Sequence, residues 1–399
     1  MNTPRTRAPA GIGLYLAAVQ FLFALGWVVY AVYLPQLAKA VGLEAKWVPW
    51  LLMADQLVFL VTDLAVGLAS DRAARVLGRI GSAVLVATLL SSLAFVALPL
   101  AAVQGSPALF VGLTLVWAVT SSALRAPPLT LLGRYVAKPA QPTMVALNAL
   151  GLGIAAALAP YLALKLKALD PTLPFVLSAA SLAAVTLGIV AAERALARRG
   201  PARSDETQSP ARSGPAATAF LFACAAAALA FQWHGFVASA PLALRFAPAA
   251  ELPWLLPVFW VGFNLALWPA GLLAKRIGPL RSLALGAVLA ACGNSLASGA
   301  TALSLLLTGQ AIAGIGWALL LCSAFCAALQ LGAGGREGLF SGALSSTLAG
   351  AALLRIGVVA FVAPLPATAV ALAGLPALGF ALCALLVWPL DGLRPRAKG

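Results

Sequence analysis

Residues 47–72 read WVPWLLMADQLVFLVTDLAVGLASDR, and residues 251–276 read ELPWLLPVFWVGFNLALWPAGLLAKR. Both stretches contain Pro-Trp-Leu-Leu, at 49–52 and 253–256, and then run on as apolar sequence to a charged stop. About 20 apolar residues in a helix cross roughly 30 Å, the thickness of a bilayer's hydrocarbon core. Neither stretch alternates polar and apolar residues, which excludes the strands of an outer-membrane barrel. The constant offset of 204 sets Gly67 against Gly271 and Arg72 against Arg276. One membrane-crossing helix has therefore been written twice.

The match extends outward. Trp27 and Pro35 are eight apart, as are Trp233 and Pro241, and Ala159-Pro160 pairs with Ala363-Pro364 at the same offset of 204. Hydropathy, with Gly, Pro and charge breaks, places spans at 11–34, 47–69, 80–102, 107–133, 142–164 and 172–193. A second set falls at 217–242, 252–273, 281–300, 303–331, 338–363 and 368–390. We number them 1 to 12. The expected fold is an all-α polytopic membrane protein, with twelve transmembrane helices in two pseudo-symmetric six-helix bundles. Residues 1–193 and 217–399 form the bundles, and 194–216, rich in Arg, Ser and Pro, form a cytoplasmic central loop.

Composition agrees. The 399 residues are 62% hydrophobic and 9% charged, with a mean hydropathy of +0.99, too little polar surface for a chain dissolved in water. The net charge of +15 sits in short loops, where it reports topology rather than nucleic-acid binding. With the N-terminus inside, 19 of the 26 Lys and Arg residues fall on cytoplasmic segments and 5 outside. The positive-inside rule then puts both termini in the cytoplasm of a bacterial-type inner membrane. Arg5 and Arg7 precede an apolar run without a cleavage site, which reads as a retained first span. All five cysteines (Cys224, Cys292, Cys322, Cys326, Cys383) lie in apolar spans, where packing is expected rather than disulfides or a metal.

Between spans 2 and 3, Gly67-Leu-Ala-Ser-Asp71-Arg72-Ala-Ala-Arg75 resembles the loop signature of the major facilitator superfamily. That signature runs Gly, three residues, Asp, Arg, one residue, Gly, Arg; Ala74 replaces the second Gly. The second-half loop keeps Gly271, Arg276 and Gly278 but has Lys275 at the Asp position. The resemblance implies alternating access by two rocking bundles, with the substrate path between them. It implies a cytoplasmic latch of Gly67, Asp71, Arg72, Arg75, Gly271 and Arg276, with Asp71 at the N-terminus of span 11. The Gly-Pro mark of some drug/proton antiporters is absent from span 5, where Gly151-Leu-Gly153 precedes Pro160 by six residues.

Four ionisable residues lie deep in spans: Asp55 and Asp63 in span 2, Arg125 in span 4 and Arg355 in span 11. Each costs a few kcal/mol or more unless paired or hydrated, so each invites a functional reading. Depth suggests two pairs: Asp55 with Arg355 between bundles, as a proton-released outer gate, and Asp63 with Arg125 within the first. Neutralising buried charge is the plainer reading of both. Arg355 is alternatively an anchor for an anionic substrate. His234, the only histidine, sits in span 7 as a packing group or a proton relay. Gln20, Trp27, Tyr30, Gln232, Asn264, Gln310 and Trp317 are candidate cavity groups. Pro127-Pro128 should break span 4.

No phosphate-binding loop, metal cluster or nucleophile–base pair supports an enzyme, and no cofactor is expected. The expected function is secondary, proton-coupled transport of a small solute by a monomer in the bilayer, with an organic anion as the candidate substrate. Export of hydrophobic drugs and a non-transporting receptor or scaffold are the alternatives.

Overall fold

The computed structural model describes residues 10–76, 80–198, 214–362 and 366–392, so most of the central loop, Arg79 and Ala363-Pro364 lie outside the described residues. Twelve helices are long and apolar enough to cross a membrane: Ala10–Ala40, Trp47–Ala73, Gly81–Gln104, Pro107–Tyr135, Lys138–Leu166, Thr172–Ala197, Pro215–Ala243, Ala249–Ile277, Pro279–Ser298, Leu303–Leu331, Glu337–Phe361 and Thr368–Leu390. They are spans 1 to 12 in order, each expected span having its helix. Apolar side chains such as Leu93, Leu265 and Leu385 stay at least 69% exposed, the surface a lipid solvent would cover.

Helices without a hydrophobic drive to associate pack by close backbone approach. Spans 9 and 10 meet this way. A methyl on Gly293 would come within 2.8 Å of the Gly309 carbonyl and one on Gly309 within 2.8 Å of the Gly293 carbonyl; Gly286 and Gly316 repeat the exchange.

The two bundles meet along two seams that the duplication relates, span 2 against span 11 and span 8 against span 5. Along the first, Gly67 packs on Gly338, Asp63 on Gly342, Leu60 near Gly350 and Met53 near Gly357. At its far end Trp50 meets Phe361, ring centroids 4.9 Å apart. Along the second, Gly271 faces Pro142 and Gly153 faces Phe263, and Trp254 meets Tyr161 at 4.8 Å. The duplicated Pro-Trp-Leu-Leu thus gives each bundle one tryptophan, laid on an aromatic ring of the other. Both seams are in contact at both ends.

Spans 4 and 7 are interrupted where the site lies. Span 4 runs Pro107–Ser121, a 3-10 turn Ser122–Leu124, then Pro127–Tyr135. Span 7 contains a π turn at His234–Ala238. Span 5 begins with a 3-10 turn, Lys138–Ala140.

Candidate functional site

At the end of the seams that carries the loop signature, Asp71 reaches across to the other bundle. Its Oδ1 accepts the Gly338 N–H and its Oδ2 the Leu339 N–H, both at 2.8 Å. These belong to the first turn of span 11, where amides have no partner in the helix and the dipole favours an anion. Gly67 sits directly under the Gly338 carbonyl, where a side chain would hold the seam apart. The duplicated seam is looser: a methyl on Gly271 would lie 3.1 Å from the Pro142 carbonyl, and Lys275 is exposed. Arg72 and Arg276 are exposed too, and the Arg75 side chain lies outside the described residues. Glu193, not singled out in the sequence, makes a second cap of this kind. Its carboxylate accepts the Ile80 and Gly81 N–H groups at 2.8 Å, joining span 6 to span 3. The signal for it was a lone acid beside the arginines that end span 6.

Deeper in the first bundle, Arg125 stands at the break in span 4. Pro127 and Pro128 have no N–H, so the carbonyls of Ala123 and Leu124 lose their helical donors. Gln20 of span 1 meets one of them, donating from Nε2 to the Leu124 carbonyl at 2.7 Å. The cavity candidate Gln20 is thus committed to mending a helix. The break lets Arg125 turn to span 2, where Nε lies 2.8 Å from Asp63 Oδ2 and the guanidinium covers the Phe59 ring at 4.5 Å. The N–H is out of line for a hydrogen bond to that oxygen, so the contact is ionic. Thr62 and Ser122 link the same two spans, their hydroxyl oxygens 2.6 Å apart.

Asp55 and Arg355 do not pair. Their depths match, since Met53–Gly357 and Leu60–Gly350 bracket both. Their directions do not. At about 100° per residue, Asp55 points about 200° from Met53 and Arg355 about 200° from Gly357, so each turns away from the seam into its own bundle. Asp55 is fully buried and its Oδ2 accepts from the Tyr30 hydroxyl at 2.7 Å. Its Oδ1 is enclosed without a partner, as is Trp27 Nε1. Arg355, half-buried, donates from Nε to Gln232 Oε1 at 3.0 Å and lies over the Phe236 ring at 4.7 Å. Among the described residues no carboxylate comes within ion-pair reach of it.

His234 is fully buried and fully engaged. The Ser239 hydroxyl donates to the His234 carbonyl at 2.7 Å, so it can only accept from Gln310, whose Nε2 lies 3.1 Å away. That turns Gln310 Oε1 to the ring, 2.8 Å from Nε2, which must then carry the hydrogen. Nδ1 accepts from Asn294 Nδ2 at 2.6 Å. Hydrogen-bond logic thus places a hydrogen on Nε2. Ser239 and Asn294 were not singled out in the sequence, because each is unremarkable until span 7 is folded.

Side-chain contacts also correct the repeat in spans 1 and 7. The Trp–Pro spacing sets Trp27 against Trp233, an offset of 206. In the fold Trp27 packs on Trp117 at 4.8 Å, while Phe231, not Trp233, stacks on Trp317 at 4.3 Å. The offset is therefore 204 here too, which sets Tyr30 against His234. Each bundle has a buried polar group at this one place, reaching Asp55 in the first half and Asn294 and Gln310 in the second. Of the remaining candidates, Trp317 is buried. Asn264 donates to the Trp260 carbonyl at 2.8 Å, with its Oδ1 enclosed beside Gly153.

The comparisons agree with this architecture. No curated protein is similar enough in sequence to match. Among solved structures, the chain is similar to the human organic anion transporter MFSD10 (TETRAN), with a TM-score of 0.71 and 14% identity, over 96% of this chain and 100% of that one. It is similar to a variant of the E. coli fucose:proton symporter FucP, with TM-score 0.69, 14% identity and coverage of 96% and 98%. A bacterial homologue of the iron transporter ferroportin, in its outward-facing state, gives TM-score 0.73, 14% identity and coverage of 96% and 99%. At these identities the likeness is one of fold. The family model of the Major Facilitator Superfamily matches residues 16–354. With twelve spans, two seams and the signature loop in place, the chain belongs to the Major Facilitator Superfamily of membrane transporters.

Proposed function

We propose that the protein moves a small organic anion with protons across the inner membrane, by alternating access between bundles 1–193 and 217–399, as a monomer. The observation that carries this is Arg355. It is a cation within the bilayer whose protein partners, Gln232 and Phe236, are neutral, and such a charge calls for a counter-ion that a substrate can bring. Asp55 is the proton carrier in this reading. Its one donor is Tyr30 and its second oxygen is enclosed without a partner, so a proton there removes a bare charge from the membrane. His234, with both ring nitrogens engaged, holds span 7 in shape. The excess of Lys and Arg on the latch face supports placing that face, and both termini, in the cytoplasm.

The test is uptake by proteoliposomes holding the purified chain, across a panel of labelled organic anions, lipophilic cations and sugars, with and without an inward proton gradient. Anion accumulation that follows the proton gradient and is lost in Arg355→Ala and Asp55→Asn is the expected result. Transport of lipophilic cations alone would replace this reading with drug efflux.

A further inference from the structure

We infer that the anion is a singly charged carboxylate on a flat apolar body, read by Arg355, Gln232 and Phe236; this deepens the anion reading above and rests on it. The Nε–Gln232 bond fixes how the guanidinium is turned. Its two terminal nitrogens, and the Gln232 amide nitrogen, bond to no described residue. The two terminal N–H groups of a guanidinium match the two oxygens of one carboxylate, which a lysine's point charge does not. Gln232 supplies a third donor beside them.

The apolar body follows from what flanks the cation. Phe236 covers one face of the guanidinium and is 57% exposed, within reach of a ligand. It meets Phe231 edge to face, centroids 6.0 Å apart, and Phe231 stacks on Trp317 and makes another edge-to-face contact with Trp260. Phe236 is thus the exposed member of an aromatic cluster whose other rings are buried or half-buried behind it. A ring carried on the carboxylate would extend it by offset or edge contacts.

The single charge follows from what is already neutralised. Arg125, the other arginine deep within a span, is in contact with Asp63. His234 gives one ring nitrogen to Gln310 and the other to Asn294. A second carboxylate would enter the membrane with no cation to meet it, a desolvation that its contacts would have to offset.

The experiment is thermal unfolding of the purified full chain with benzoate, acetate, phthalate and benzamide, repeated on Arg355→Lys and Phe236→Leu. Benzoate should stabilise the protein, acetate should bind about tenfold more weakly, and phthalate and benzamide should not bind. Arg355→Lys should weaken benzoate at least about tenfold. Phe236→Leu should bring benzoate down to the level of acetate and leave acetate unchanged, a selective loss that misfolding does not produce. Phthalate binding as tightly as benzoate, or benzoate binding indifferent to both substitutions, would overturn the inference while the anion reading stands. Stabilisation by sugars or lipophilic cations alone would remove both.

Discussion

Asp63 and Arg125 illustrate what one residue costs in this solvent. Replacing Asp63 by Asn leaves a guanidinium facing Phe59 with no counter-charge. Removing one partner of a buried pair costs about 3–5 kcal/mol, and the partial exposure of Arg125 places this one near the lower end. Denaturant unfolding in detergent should show that loss, and Asp63→Asn with Arg125→Gln should recover most of it; additive losses would show that the pair is not coupled. Gln20 gives a second test. Gln20→Leu strands the Leu124 carbonyl, at about 1–3 kcal/mol. Adding Pro128→Ala restores a backbone donor four residues on, so the double variant should regain stability over Gln20→Leu alone. The sequence revealed the depth of every charge, because depth follows from counting residues along a span. It did not reveal direction. Asp55 and Arg355 match in depth and still face opposite ways, and that depends on which neighbours their helices meet.

At the scale of elements, hydropathy announced each span because a bilayer demands one continuous apolar helix per crossing. Interruptions inside spans were legible only where proline marks them, as at Pro127-Pro128. The π turn of span 7 has no proline within it. The bonds that keep it come from spans 9 and 10 as well as its own Ser239. Ser239→Ala removes the hydroxyl that joins Gln310 to the His234 carbonyl. It should lower stability by about 1 kcal/mol and speed amide exchange through 234–243 more than in the matching part of span 1. Equal exchange in the two spans would show that the turn holds itself. Pro241, which denies the Val237 carbonyl its donor, is the local feature most consistent with the turn lying where it does.

For the whole molecule the duplication was the most informative signal: once span 2 is seen to pack on span 11, the repeat relates that seam to the one between span 8 and span 5. It could not show that the seams close unequally. Only the signature loop of the first half has an aspartate, and among the described residues only span 11 receives a carboxylate from across the seam. Asp71→Asn, which replaces the carboxylate at two amides with a neutral side chain, should weaken this contact by about 1–2 kcal/mol. A disulfide trap set between Gly67→Cys and Gly338→Cys would itself wedge the seam, so the better reporters are fluorophores on Arg72 and Arg336, whose separation should grow in the Asp71 variant. An unchanged separation would mean that glycine packing alone holds the face shut. The inequality also sets an order of events. A door fastened along one edge swings from the other, so water should first enter where Gly271 lies loosely over Pro142 and Ala146, with the span 2–span 11 edge serving as the pivot until Asp71 lets go. The transporter would then breathe lopsidedly, and full opening of the latch face would wait on the unfastening of Asp71.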